Sequence, residues 1–269
     1  MQQLAYDVIP DDVRGTVIIS EVETGNIKAM VSKPSYDTNK LAVHSSAQAS
    51  ENLKEILDTP GVSPYTNRAI NTLIAPGSTF KILDAVAALE SGDYERDTVL
   101  DNPNTVNLPG TTQPISNFEG GICSGRPQAS FQYIFEQSCN TPFIEMSQDL
   151  GEDELRDVAE RFGFGSDYRI PLPVTASVFP EEMTSAELAL LSIGQWDVKA
   201  TPLQMTMFAA TIANDGVMMK PNLIKSVRGQ DLKVLEQPTP QEVRRVTSAD
   251  VADEVKKLMV GVVNNRGTA

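Results

Sequence analysis

The feature that most restricts this chain is an imbalance: one clear β-hairpin against about seven helical stretches. Gly15-Thr16-Val17-Ile18-Ile19-Ser20 and Asn26-Ile27-Lys28-Ala29-Met30-Val31 read as strands, because β-branched and apolar residues are dense there and turn residues bound them. Glu23-Thr24-Gly25-Asn26 forms the turn, with Gly25 free to take a positive φ. A two-stranded hairpin alone is marginally stable in water, so other elements are expected to complete its sheet.

The helices follow from apolar spacing and punctuation. The strongest runs from Ser78 to about Glu90, opened by Pro76-Gly77 and closed by Gly92, with Phe80, Leu83, Val86, Ala87 and Leu89 as an apolar stripe. A shorter stretch near Glu51 to Leu57 stops at Pro60-Gly61. Residues 93–128 read as a long loop, a feature that in compact domains is usually functional. Helices resume at about Ala129 to Gln137, then with Thr141 as N-cap and Pro142 in the first turn, and again over Glu152 to Phe162. Thr184 to Leu191, Thr201 to Asn214 and Ser248 to about Val263 complete the set. No internal repeat or low-complexity tract interrupts it.

At 269 residues the chain can bury a sizeable core, as one large domain or two modest lobes. Its 36 acidic and 22 basic residues give a formal charge of −14. Nucleic acid and anionic membrane surfaces both need clustered Lys and Arg, so neither is expected as the main partner. No run approaches the roughly 18 to 20 apolar residues of a membrane helix, and the Met1-Gln2-Gln3 start lacks the pattern of a signal peptide. Either the protein is cytosolic or an anchor lies outside this sequence. The two cysteines, Cys123 and Cys139, make no metal site; two free thiols are the default expectation, with a single bridge between them as the alternative. The lone histidine, His44, lies in a polar stretch with no carboxylate close in sequence, as a surface histidine does. A Ser-His-Asp triad is therefore not expected. No phosphate loop, G-x-S-x-G elbow or H-E-x-x-H is present, and no cofactor is expected.

A serine can also be activated without histidine. Ser78-Thr79-Phe80-Lys81 places a hydroxyl at a helix start, where unpaired N–H groups and the helix dipole favour developing negative charge. Lys81 lies one turn on, on the same face, flanked by Phe80, Ile82 and Leu83. Partial desolvation there pushes a lysine toward its neutral, basic form. The competing reading is a capping serine and a lysine that snorkels to solvent. Ser138-Cys139-Asn140, between two helices, offers a second hydroxyl for proton relay and an amide for a substrate carbonyl, although turn chemistry alone favours these residues. Ser50-Glu51-Asn52 repeats the S-x-N pattern in a solvated stretch ahead of Ser78, and is set aside.

These motifs, about 60 residues apart, resemble those of the penicillin-binding proteins, and within them the monofunctional class B transpeptidases. The resemblance extends over Gly25 to Asn39, Asn67-Arg68-Ala69, Ala75-Pro76-Gly77, Gln137 to Thr141, Ser192-Ile193-Gly194-Gln195 and Ala200 to Met205. It implies an α+β fold of the penicillin-binding and β-lactamase type, with an antiparallel sheet flanked by helices and an all-helical subdomain. Residues 1–269 would then be a single partial transpeptidase domain. The hairpin at 15–33 would belong to its central sheet, about 46–230 would form the mainly helical part, and 248–263 the last helix.

The resemblance also implies roles. Ser78 would be the nucleophile toward a D-Ala-D-Ala stem peptide or a β-lactam, Lys81 its general base, Ser138 a proton relay and Asn140 the residue that orients substrate. Implied partners are peptidoglycan stem peptides, β-lactams and a cell-wall synthesis complex, with no nucleic acid. The implied location is extracytoplasmic, with membrane attachment only through an anchor outside this sequence. The family's K-T-G or K-S-G motif is absent; Arg266-Gly267-Thr268-Ala269 matches a string that precedes it in relatives. The expectation is a chain that stops before that strand, the alternative a non-catalytic scaffold. No E-x-x-L-N supplies a deacylating glutamate, so a β-lactamase-type hydrolase is the lesser alternative.

Overall fold

The computed structural model describes residues 1–118, 123–265 and 267–268. Of the C-terminal string, Arg266 and Ala269 lie outside the described residues.

The hairpin forms as its sequence dictates. Strand β1 (Gly15–Ser20) pairs antiparallel with β2 (Ile27–Lys33), from Gly15 opposite Lys33 to Ile19 opposite Ala29, with an irregularity at Ser20. Gly25 takes φ +70°, as the turn requires. Side chains alternate between the two faces. Val17, Ile19, Ala29 and Val31 cluster with Ala5 and Ile9 of the N-terminal segment, whereas Ile18 and Met30 pack on the main core. The N-terminal segment contains a helix the sequence did not announce, α1 (Gln2–Asp7). Its Gln2 amide donates to the Met30 carbonyl at 2.7 Å and accepts from the Met30 N–H at 2.9 Å. Two groups of an otherwise open strand edge are thereby satisfied. Among the described residues the hairpin gains no third strand; its turn end bridges Asn222 instead.

The other helices follow, and all but the first of them build one apolar core. They are α2 (Ser46–Asp58), α3 (Arg68–Asn71), α4 (Lys81–Ser91), α5 (Phe131–Glu136), α6 (Thr141–Arg161), α7 (Ser185–Leu191), α8 (Pro202–Ala213) and α9 (Ala249–Asn264). A single cluster of buried side chains runs from Ala69 to Leu258, with α4 against α6 and α9. Within it Phe80, Phe162, Phe164 and Phe208 meet edge-on or tilted, with ring centroids 4.6–6.0 Å apart. The caps at Thr184, Thr201 and Ser248 each accept a backbone N–H from the first helical turn.

Four expectations need correction. Helix α2 begins earlier than Glu51, because the Ser45 hydroxyl caps it. The stretch 93–128 is not irregular throughout: β3 (Val99–Asp101) pairs with β6 (Gln128–Ser130), and β4 (Thr105–Asn107) with β5 (Pro114–Ser116). Thr141 is not an N-cap; Asn140 precedes the helix, and the Thr141 hydroxyl donates to the Pro103 carbonyl at 2.8 Å. That side chain ties α6 to the loop instead of closing its own helix. The helix then breaks at Gly151 (φ +81°), so the expected start at Glu152 reflects a real discontinuity. Fourth, Cys123 and Cys139 are joined, with Cα atoms 5.5 Å apart, and are not free thiols. Four short strands, β7 (Val217–Met219), β8 (Val227–Arg228), β9 (Val234–Glu236) and β10 (Glu242–Arg245), complete the description. No helix among the described residues is long and apolar enough to cross a membrane.

Candidate active site

The segment before Ser78 is fixed at three points. The Asn67 side chain caps α3 by accepting from the Ala69 N–H at 3.1 Å, and Arg68 reaches the carbonyls of Pro34 and Gly61. Ile74 and Ala200 then exchange backbone hydrogen bonds of 3.0 and 2.9 Å. Finally the Gly77 N–H donates to the Gly194 carbonyl at 2.9 Å. That last approach needs glycine on the far side. Gly194 has φ +69°, and a Cβ there would lie 1.9 Å from the Gly77 carbonyl oxygen. The Ser192-Ile193-Gly194-Gln195 string therefore acts as a backbone clamp one residue ahead of Ser78.

Ser78 does not open an α-helix, as the sequence had suggested. It lies in a 3-10 turn, Gly77–Phe80, from which α4 continues at Lys81. The Lys81 N–H returns to the Ser78 carbonyl. In a 3-10 turn residues three apart eclipse one another, so the tighter winding brings Ser78 and Lys81 onto one edge. Ser78 is exposed, while Lys81 is only 2% exposed.

The Lys81 side chain does not snorkel. Its Nζ donates to the carbonyl oxygens of Ser138 and Cys139, each at 2.9 Å, to Asn140 Oδ1 at 2.9 Å and to Ser138 Oγ at 3.3 Å. The Phe143 ring lies beside it, its centroid 5.1 Å away. Thus Lys81, Ser138 and Asn140 converge on one amine, with Ser78 three residues before it in the turn. Burial pushes the Lys81 pKa down to about 7, opposed by the nearby Asp84. An ammonium has three donors and here meets four neutral oxygens, so its orientation is over-determined.

Ser138 is held with φ +55°, an unusual conformation for a residue with a side chain, and one that turns both its carbonyl and its hydroxyl toward Lys81. Asn117 supports this turn, and sequence reasoning missed it. Its Oδ1 accepts from the Asn140 N–H at 2.6 Å and the Thr141 N–H at 3.1 Å. Its amide donates to the Thr141 hydroxyl at 3.2 Å and the Pro103 carbonyl at 3.3 Å. Asn117 is 4% exposed yet sits in a polar stretch, so no apolar pattern marks it. The disulfide ties the same turn to the preceding loop through Cys139. The discarded Ser50 and Asn52 lie on α2, engaged with Ser46 and Lys40. His44 is exposed. Among the described residues no group of His, Cys, Asp or Glu side chains is placed to hold a metal ion.

Residues 15–269 match the family model of the penicillin binding protein transpeptidase domain. The chain is 41% identical over 265 residues to the peptidoglycan D,D-transpeptidase PbpA of Mycolicibacterium smegmatis, covering 97% of this chain and 54% of the relative. It is 40% identical to PbpA of Mycobacterium tuberculosis, with the same coverage. Its fold superposes on the penicillin G acyl-enzyme complex of penicillin-binding protein A from M. tuberculosis with a TM-score of 0.91 at 39% identity, over 100% of this chain and 61% of that one. The D,D-transpeptidase domain of a peptidoglycan glycosyltransferase from Eggerthella lenta gives 0.88 at 30% identity, over 99% and 64%. The chain spans about half the length of the curated relatives it matches.

Proposed function

Because the chain belongs to the penicillin-binding protein transpeptidase family, we propose that it is the serine-nucleophile part of a class B peptidoglycan D,D-transpeptidase. In this reading residues 1–269 form one transpeptidase unit, supported by the single apolar core that runs from Ala69 to Leu258. The observation that carries the reading is the buried Lys81 amine, bonded to both Ser138 and Asn140 and three residues beyond Ser78 in a tight turn.

The chemistry follows from that arrangement. Ser78 Oγ attacks the carbonyl of a D-Ala-D-Ala stem peptide while the neutral Lys81 amine takes its proton. The Ser78 backbone N–H supports the oxyanion as the tetrahedral intermediate forms. Its collapse breaks the peptide bond, and the departing D-Ala nitrogen receives a proton relayed through the Ser138 hydroxyl. Asn140 holds the substrate amide in place. An amine from a neighbouring stem peptide then attacks the Ser78 ester, forming the crosslink and restoring the hydroxyl. A β-lactam enters by the same first step, and opening its ring leaves no group to depart. The substrates lie outside the cytoplasm, which places the working enzyme there, within a cell-wall synthesis assembly.

Labelling with fluorescent penicillin tests this. Covalent label on the folded wild-type protein, lost in Ser78→Ala, is the expected result. Folded wild-type protein that takes no label contradicts it.

A further inference from the structure

Charge is unevenly spread along this chain. Residues 216–247 carry six basic and three acidic side chains, whereas the whole chain carries 22 and 36. That basic stretch contains β7 to β10 and faces the loop that follows α6. Between the two opens a cavity of about 620 Å3, and a second of about 320 Å3 continues it. Arg169, Lys220 and Pro221 line both, so the two form one groove.

The floor of the groove belongs to the core: Val174, Met207 and Met218 are each no more than 8% exposed. Its rim is cationic. Arg244 lines the first cavity, and Arg169 and Lys220 the length where the cavities join, against Asp167 in the first and Glu236 in the second. None of these three cations forms an ion pair among the described residues. Arg244 donates to the Glu160 backbone carbonyl at 3.2 Å, and Lys220 reaches the neutral Gln241 Oε1 at 3.5 Å. By contrast Arg96, Arg161 and Lys257 all meet carboxylates. The walls are stiff, because Pro171, Pro173, Pro221, Pro238 and Pro240 line them and each fixes its own φ. A groove so built loses little freedom when it is filled.

These features select the occupant. Cations that converge on one point hold a single small anion, but these are strung along two joined cavities. An apolar floor under a cationic rim matches a chain that presents both kinds of side chain. We propose that the groove is a docking site for an extended acidic segment of another protein, with its carboxylates against Arg169, Lys220 and Arg244 and its apolar side chains on Val174, Met207 and Met218. A formal charge of −14 repels such a segment over the surface at large and leaves this groove as the attractive place. None of Ser78, Lys81, Ser138 and Asn140 lines it, so the proposal stands apart from the acylation chemistry.

Fluorescence anisotropy on the full-length natural protein tests it, with a short labelled peptide of alternating Glu and Leu as probe and the matching Gln and Leu peptide as control. The acidic peptide should bind at least about tenfold more tightly than the control, and salt should weaken it. Arg169→Gln and Arg244→Gln should each weaken it about two- to fivefold, as exposed charge pairs do. Arg169→Glu combined with Lys220→Glu should weaken it about tenfold or more. Lys225→Glu combined with Arg228→Glu, an equal change of net charge outside both cavities, should leave it within about twofold. Arg169, Lys220 and Arg244 are exposed, so these variants should fold and take fluorescent penicillin as the wild type does. Equal binding of the two peptides, or equal losses in the two charge-reversed pairs, overturns the proposal. So does a protein that ignores the peptide and binds vesicles of phosphatidylglycerol, which would make the basic stretch a membrane contact.

Discussion

Gly77 and Gly194 meet backbone to backbone, the N–H of one 2.9 Å from the carbonyl oxygen of the other, immediately before the proposed nucleophile. Gly194→Ala would force a Cβ to 1.9 Å from the Gly77 oxygen at φ +69°. The expected cost is about 3 kcal/mol or more, because both the positive φ and the contact oppose a side chain. Differential scanning calorimetry should show a clear fall in Tm, with acylation slowed as Ser78 loses its seat. An unchanged Tm would mean that the close approach does not exist in solution.

With Lys81 as the proposed base, acylation should depend on pH in a definite direction. The Lys81 pKa is pushed down to about 7, chiefly by burial. Only the unprotonated amine accepts the Ser78 proton, so the acylation rate should rise about tenfold per pH unit below that point and level off above it. Stopped-flow measurement with a chromogenic β-lactam gives the profile. A rate that is flat across pH 6 to 8, or one that falls as pH rises, contradicts the assignment of the base.

Asn117 should behave as part of the Ser138-Cys139-Asn140 turn although it lies more than twenty residues earlier. Asn117→Leu strands the N–H groups of Asn140 and Thr141, each at a cost of about 1–3 kcal/mol. Asn117→Asp keeps the acceptor and loses the donations to Thr141 and Pro103, so its loss should be intermediate. Urea unfolding ranks the pair against the wild type. If Asn117→Leu is as stable as the wild type, the buried bonds are not formed.

The Cys123–Cys139 bridge closes a short loop against that turn. Titration of thiols under denaturing, non-reducing conditions should find none. Cys123→Ser paired with Cys139→Ser should lose about 3 kcal/mol, the order expected for a loop of this length. Two free thiols in the oxidised, purified protein would remove the bridge.

What the sequence made legible was mostly local. Thr184, Thr201 and Ser248 cap helices within their own first turns, and Gly25 sets its turn alone, so short-range chemistry decides these elements. Strands β3 to β6 escaped because each has three residues, too few for an alternating pattern to show, and β3 also takes its partner β6 from well along the chain. The 3-10 winding at Ser78 escaped for a related reason: the Gly194 clamp, distant in sequence, shapes it. Ser78, Lys81, Ser138 and Asn140 were visible as motifs, since the chemistry proposed for them fixes residue type and spacing. Asn117 was not, since a supporting asparagine leaves no pattern around it.

The central claim is that Lys81, sealed in and held by Ser138 and Asn140, activates Ser78. Peptide mapping by mass spectrometry after exposure to penicillin tests it most directly, on wild-type protein and on Lys81→Ala shown by circular dichroism to be folded. The account predicts one penicilloyl adduct, on the peptide carrying Ser78, and none on Lys81→Ala. An adduct on any other residue, or a Lys81→Ala protein that acquires it at the wild-type rate, would contradict the account.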